Sequence, residues 1–274
     1  MSNMKDIPFN NQNRTLRLTS ASETMYDLIV IGGGITGAGI ALDASLRGIK
    51  TLLLEKTDFA SGTSSKSTKL IHGGLRYLKQ LEFGLVRETG TERAIAHKNI
   101  PHLVHPEKML LPIVKKGTFS KFSAGIAISV YDRLASVEEK DRKQNLSLKK
   151  TIHKEPLLNQ SILKSGILYS EYRTDDARLT IEIIKAARRE GAEAFNYIEV
   201  VDFDFTREEV TFVHCKDHVS QQDITFKAKH VVNASGPWVD MVRDLEKVKE
   251  HDSLHLTKGV HIVLPFEKLP INRH

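Results

Sequence analysis

Apolar positions first cluster at Tyr26–Ile31 (YDLIVI), a run of the length of a buried strand. Glycines follow at 32, 33, 34 and 37. Ile35–Arg47 then reads as a helix that Gly48 can end in the left-handed region. Thr51–Leu54 is a second apolar strand, closed by Glu55. Strand, turn, helix, strand is a βαβ unit with its crossover. Thr57–Thr68 is a loop of Ser, Thr and Gly. Helical patterning covers Leu75–Lys98 and Lys121–Leu134, while Lys108–Val114 and Gly166–Tyr172 look extended. The charged stretch Glu138–Lys150 reads as a solvated connection or helix. Asp176–Glu190 predicts an amphipathic helix, with Leu179, Ile183 and Ala187 on one face, acids at its start and Arg188 and Arg189 at its end. Strands are expected near Ala194–Val201, Val210–Cys215, Ile224–Lys227 and His230–Asn233. A short helix at Trp238–Leu245 and a strand-like Leu254–Leu264 close the pattern.

A parallel βαβ opening followed by a strand-rich remainder predicts an α/β fold. Its parts are a Rossmann-like nucleotide-binding domain and an interleaved, mainly antiparallel substrate-binding sheet. The expected segments are a loose N-terminal arm (1–24), the nucleotide-binding domain (25–105 and 170–240) and a partial substrate domain (106–169 and 241–274). Met1–Thr24 is polar and lacks the apolar core of an export signal, which is why it reads as an arm.

Composition narrows the class only a little. With 40% hydrophobic and 27% charged residues, the 274-residue chain is ordinary globular protein and not a disordered one. A net charge of +6 permits an anionic substrate, an anionic membrane or nucleic acid, and selects none of them. The single cysteine, Cys215, excludes an internal disulfide and a cysteine-rich metal cluster, and suits a reducing, cytoplasmic setting. No run approaches the ~18 apolar residues of a membrane-spanning helix. Charge is uneven, however. Lys115–Lys154 holds ten basic and four acidic residues, so it carries the whole excess of +6. Phe119, Phe122, Ile126 and Val130 fall near one helical face there. That face is either a core face under a solvated basic surface or a seat on an anionic bilayer.

The chemistry starts at Gly32-x-Gly34-x-x-Gly37 between strand and helix. The first glycine permits the tight turn, the second a close backbone approach to a pyrophosphate, and the third close helix–strand packing. The pyrophosphate would lie at the helix N-terminus. Glu55 ends the next strand, where a carboxylate accepts from adenosine ribose hydroxyls and repels a 2′-phosphate. Strand, helix and acid together make dinucleotide binding the reading. Two further segments favour FAD over NAD. Thr63–Gly74 is hydroxyl-rich and runs into Gly73–Gly74, which suits a phosphate and ribityl chain and a flat ring. The strand at His230–Asn233 runs into small residues, Ala234, Ser235 and Gly236, a second close approach. By themselves these segments also read as a polar surface loop and an ordinary strand-to-helix turn.

The runs STKLIHGGLRYLK (Ser67–Lys79), YRTDDARLT (Tyr172–Thr180), NASGPWVD (Asn233–Asp240) and LTKGVHIVLP (Leu256–Pro265) resemble the FAD-dependent glycerol-3-phosphate dehydrogenases of bacteria. These belong to the flavoprotein group that includes D-amino-acid and glycine oxidases, and the resemblance runs from about Tyr26 to the last residue. It implies oxidation of sn-glycerol 3-phosphate to dihydroxyacetone phosphate, with hydride passing from C2 to flavin N5 and electrons leaving to a membrane quinone. Carried over by position, the FAD contacts are Gly32, Gly33, Gly34, Ile35, Thr36, Gly37, Glu55 and Lys56. Thr63, Ser64, Ser65, Ser67, Thr68, Lys69, Leu70, His72 and Gly73 continue them along the flavin side. Val200 matches a backbone contact at the adenine, and Ala234, Ser235 and Gly236 the second approach. Arg76 matches a substrate-pocket arginine, for which a guanidinium–phosphate pair is the reason. Read without the resemblance, Arg76 is a surface helix residue. His72 and His261 are both candidates for the base that takes the C2 hydroxyl proton, and the choice between them stays open.

His97, His102 and His105, and the pair His214 and His218, lack a cysteine or carboxylate framework, so no metal is expected. Nor is a nucleic-acid partner. The resemblance implies a cytoplasmic protein with peripheral contact at the inner face of the membrane, and leaves open whether it is a homodimer. Members of the resembled group are longer and supply later phosphate-binding arginines and a C-terminal helical domain. The expectation is therefore weak FAD retention and poor turnover by this chain alone. The competing readings are a glycerophosphate oxidase that uses oxygen and an inactive fragment of the FAD fold.

Overall fold

The computed structural model describes residues 8–71, 82–115, 117, 121–134, 137, 139–205, 211–246, 254–257 and 259–272. Two compact units share the chain. One comprises Met1–Ser67 with Asp176–Lys258, the other Thr68–Asp175 with Gly259–His274. The sequence placed breaks at 105/106, 169/170 and 240/241. Cuts at 105/106 and 169/170 fall inside β4 (Val104–Val114) and β6 (Leu163–Thr174), which pair antiparallel from Val104↔Thr174 to Val114↔Leu163, whereas the two units keep both strands whole.

In the first unit the predicted βαβ opening is present as β1 (Met25–Ile31), α2 (Ile35–Leu46) and β2 (Thr51–Leu54), preceded by α1 (Arg14–Ser22). After α6 (Asp176–Arg189) come β7 (Glu193–Phe195), β8 (Ile198–Phe205), β9 (Thr211–Asp217), β10 (Asp223–Asn233) and α7 (Val239–Asp244). The strand order is β7-β2-β1-β10-β9-β8. β7, β2, β1 and β10 run parallel, and β8, β9 and β10 form an antiparallel meander. Side chains alternate across β1, so each face builds its own core. Val30, with Leu53, packs on Ala38 and Ala41 of α2 and Ile184 and Ala187 of α6. Ile29 and Ile31, with Leu52 and Leu54, meet Phe203, Val213, Cys215 and Phe226, so the meander covers the other face. Helices on one face and strands on the other bury the parallel strands from both sides, as their continuous apolar runs require. Burial pushes the Cys215 thiol pKa up, which keeps it an unreactive core side chain.

Several expectations change. The N-terminal arm is not loose throughout. Residues 14–22 are helical, and Leu18 and Ala21 enter the core beside the meander. Arg17 donates to Glu193 Oε2 through Nη2 at 2.7 Å and Nε at 3.1 Å, and Arg188 meets the other oxygen at 2.6 Å. Arg14 donates to Asp217 at 2.9 Å. Buried charges of this kind need partners, and paired arginines give a polar stretch a docking face. The predicted Ala194–Val201 strand is broken at Asn196–Tyr197, where Tyr197 has φ 57°. The two strands expected in 224–233 are one, β10. On α6 the most buried stripe is Thr180, Ile184 and Ala187, with Ile183 half-buried beside it. Leu254–Leu264 is irregular and exposed where described, with Val263 93% accessible. A strand needs a partner for its backbone groups, and among the described residues none lies beside this segment.

In the second unit β3 (Leu70–Ile71) and β5 (Gln144–Leu146) pair with β6, whose other edge takes β4. α3 (Phe83–Asn99), α4 (Lys121–Leu134) and α5 (Leu148–Lys154) complete it. The charged stretch 138–150 thus contains a 3-10 turn, β5 and the start of α5. Arg93, 1% exposed, donates to Tyr131 Oη at 2.6 Å and to Glu171 at 3.0 Å, tying α3, α4 and β6 together. On α4, Gly125, Ile128, Tyr131 and Asp132 are buried and Ile126 is half exposed, so Ile126 is not on the core face. Val130 packs beside Tyr131. Phe119 and the side chain of Phe122 lie outside what is described.

Candidate active site

The groove of the first unit opens where β1, β2 and β10 end. Gly32 has φ +112°, and a Cβ there would stand 2.5 Å from Ala234 O. A Cβ at Gly37 would stand 1.9 Å from Gly32 O. Both positions therefore require glycine, and the turn packs directly on β10's end and on its own helix. Gly33 N–H donates to Glu55 Oε2 at 2.7 Å, and Glu55 Oε1 accepts from Thr57 N at 2.8 Å and Thr57 Oγ1 at 3.0 Å. Ile35 N–H, at the first turn of α2, donates to Ser64 Oγ at 2.8 Å. The first intrahelical bond is Ala38 N–H to Gly34 O, so α2 presents its N-terminal end to the groove.

This groove has a volume of about 680 Å³, in the range of cofactor sites. Its walls come from the glycine turn, from Glu55–Thr57, from Ser61–Ser64, from Ile198–Val201 and from Ala234–Trp238. Trp238, the chain's only tryptophan, forms one side, its ring 2.9 Å from where a Cβ on Gly62 would sit. At the rim, Glu199 accepts from Lys56 Nζ at 2.6 Å and bonds His218 Nε2 at 2.7 Å. Partial burial raises the Glu199 carboxyl pKa, but the hydrogen bonds from Lys56 and His218 outweigh it and hold it below its ordinary value.

Of the expected cofactor residues, Gly32, Gly34, Ile35, Thr36, Glu55, Lys56, Thr63, Ser64, Val200, Ala234, Ser235 and Gly236 line this one groove. Gly33 and Gly37 stand behind it as supports. Ser65, Ser67, Thr68, Lys69 and Leu70 are not in its walls. Ser67 donates to Asp176, and Lys69, at φ 62°, accepts from Thr174 N–H. His72, Gly73, Gly74 and Arg76 lie outside the described residues. His261 is exposed on the irregular segment of the second unit. Sequence reasoning missed the walls given by Ser61, Gly62, Glu199, Trp238 and Met241. Only Trp238 had a local signal, as a large apolar residue after a small-residue turn. The histidines set aside as metal candidates make local hydrogen bonds where the contacts are described. His97 bonds Val104 O at 2.6 Å, His214 bridges Asp204 and Thr225, and His218 bonds Glu199. Among the described residues no group of three potential ligands forms.

Residues 27–274 match the family described as DAO, FAD dependent oxidoreductase. This chain belongs to the FAD dependent oxidoreductase family. The groove fits the cofactor of that family: glycines where a Cβ would collide, a helix N-terminus for a pyrophosphate, and a carboxylate at the end of β2. The chain is 55% identical over 249 residues, 90% of its length, to the aerobic glycerol-3-phosphate dehydrogenase of Staphylococcus aureus (strain MRSA252), of which it covers 45%. It thus spans about half the length of the curated relatives it matches. A crystal structure of the glycerol-3-phosphate dehydrogenase of Bacillus halodurans complexed with FAD aligns with a TM-score of 0.70 and 44% identity, covering 88% of this chain and 40% of that one. The L-α-glycerophosphate oxidase of Mycoplasma pneumoniae shares the fold at 19% identity and a TM-score of 0.61, covering 81% of this chain and 57% of that one.

Proposed function

We propose that this chain holds the FAD of an enzyme that oxidises sn-glycerol 3-phosphate to dihydroxyacetone phosphate, with a quinone as electron acceptor. The observation that carries the reading is 55% identity, over nine-tenths of the chain, to a relative named for that activity. Bound FAD supplies the two-electron acceptor for the C2–H bond. The chain's own residues do the rest. The first turn of α2 faces the pyrophosphate. Glu55 accepts from the ribose hydroxyls, and Thr63 and Ser64 extend a hydroxyl-lined wall. Val200 and the turn Ala234–Gly236 close the two sides. Arg76 takes the substrate phosphate, and His72 or His261 takes the C2 hydroxyl proton.

The test is an anaerobic absorption spectrum of the FAD-loaded chain before and after sn-glycerol 3-phosphate. Fading of the flavin bands supports the reading, and D-amino acids or glycine bleaching the flavin in its place would overturn it. Reoxidation by a soluble quinone analogue, compared with oxygen uptake, then decides the acceptor. Faster reoxidation by oxygen would replace the quinone with the oxidase chemistry. Among the described residues no helix is long and apolar enough to cross a membrane.

A further inference from the structure

The groove's rim carries a cluster that neither the glycine turn nor the substrate chemistry uses. Glu199, near the start of β8, holds Lys56 with one carboxylate oxygen at 2.6 Å and His218 with the other at 2.7 Å. Lys56 and Glu199 line the groove, whereas His218 sits behind Glu199 on the turn after β9. That turn is fixed by His218 N–H donating to Tyr197 O at 2.9 Å, and β8 is fixed to the end of β2 by Ile198 N–H donating to Glu55 O at 2.8 Å. Glu199 therefore stands beside the carboxylate that faces the ribose, on the nucleoside side of the pyrophosphate. We infer that Glu199, clasped between Lys56 and His218, is a positioning residue for the adenosine end of FAD.

Glu199 acts through Lys56. Its side chain is 57% exposed and would otherwise sample many rotamers. Tethered to Glu199, its methylene stem forms a fixed apolar edge at the rim while the ammonium stays at the surface. Loss of the carboxylate releases that edge. A partly exposed ion pair is worth at most about 1 kcal/mol, which is about fivefold in affinity. This inference rests on FAD occupying the groove, and the sign of the effect separates it from simple electrostatics. Removing a negative charge should tighten every anionic ligand, whereas losing a positioned rim should loosen only ligands that carry adenosine.

The experiment uses the full chain and three probes, FAD, ADP and FMN. FAD and FMN are titrated by quenching of Trp238 fluorescence, and ADP by calorimetry. Glu199→Ala is expected to weaken FAD and ADP by about fivefold each and to leave FMN unchanged. Lys56→Met should reproduce the loss, and the double variant should be no worse than either single one. Glu199→Gln, which keeps the shape and one acceptor, guards against a folding defect and should fall between wild type and Glu199→Ala. Unchanged or tighter ADP binding in Glu199→Ala overturns the inference, as does equal weakening of FMN, the mark of a general structural defect. A wild-type chain that binds neither FAD nor ADP would defeat the cofactor reading itself, and this inference with it.

Discussion

Glu55 is the residue on which the glycine turn most directly depends, the proposed function also gives it the ribose of FAD, and Glu55→Gln tests both at once. Its two oxygens accept three protein hydrogen bonds: from Gly33 N–H at 2.7 Å, and from Thr57 N–H and Thr57 Oγ1 at 2.8 and 3.0 Å. A glutamine has one acceptor oxygen and one NH2. Whichever way the amide turns, it meets either the Gly33 N–H or the Thr57 N–H donor to donor. One charge-assisted hydrogen bond is lost, which costs about 1.5–3 kcal/mol. Glu55 is half-buried, so the lower part of that range applies, about 1.5–2 kcal/mol. If the turn is held mainly by ligand in the variant, the whole loss appears in FAD affinity, as a Kd increase of about 10- to 30-fold.

The assay is FAD titration against Trp238 fluorescence, with a thermal melt of the ligand-free chain as control. The expected result is a Kd raised by about tenfold or more with a melt lowered by only a few degrees. A carboxylate that faces the ribose also predicts that ADP loses affinity alongside FAD. An FAD Kd within twofold of wild type would refute the argument, because it would mean that neither the turn nor the ribose draws on this carboxylate.

Other expectations are independent of that one. Arg17→Met removes a guanidinium that is 3% exposed and paired with Glu193. Arg188 remains on Glu193, so the cost should sit near the lower end of the 3–5 kcal/mol for breaking a buried pair. At about 2–4 °C per kcal/mol, that lowers the first unit's melting temperature by about 6–12 °C; an unchanged melt would return residues 14–22 to the status of a loose arm. Partial burial pushes the Asp217 carboxyl pKa up, but hydrogen bonds from Val219, Arg14 and Ser220 outweigh it and hold it below the ordinary value. A depressed carboxylate stabilises the fold above its ordinary pKa and ceases to as pH falls through the folded-state value. Acid unfolding should therefore steepen below about pH 4, and Asp217→Asn should flatten that limb in a pH series of melts. Flotation with anionic liposomes at moderate salt should carry the chain upward if the basic 115–154 region seats it on a membrane; a chain that stays at the bottom removes that role from it.

The glycine turn was legible because its requirements are local. A tight turn, a close helix and a terminal acid each leave a residue type at a fixed spacing, and Gly32, Gly34, Gly37 and Glu55 fell where that spacing put them. α1 was illegible for the opposite reason. Its sequence, RTLRLTSAS, has few apolar positions, and it docks through Arg14 and Arg17 onto acids that lie far along the chain. Glu199 had no local signal either, since its role exists only once β8 is laid against the end of β2. Leu254–Leu264 shows the converse error. Its alternating apolar residues carry the composition of a strand, but composition states a preference for a pleated, half-buried surface and does not provide the neighbour.

The meander explains why one groove collects residues from such distant segments. β10 runs beside β1, so Ala234 N–H reaches Ile31 O at 2.8 Å and the turn after β10 meets the turn after β1. The chain crosses from β1 to β2 on one side and reaches β10 on the other, which makes the end of β1 a switch point, the place where open α/β sheets bind ligands. A parallel sheet alone would leave that crevice open on the face away from α2. Here β9 and β8 fold over that face, burying Phe203 and Val213 against Ile29 and Leu52. The same packing brings Tyr197 N–H to Thr57 O and Ile198 N–H to Glu55 O, both at 2.8 Å. Core packing of the meander and construction of the rim are thus one event. The register of β8 on β9, which shifts between Val200 and Asp202, sets where Glu199 and Val200 stand. A change that slips this register should disturb the cofactor groove without touching any glycine in it.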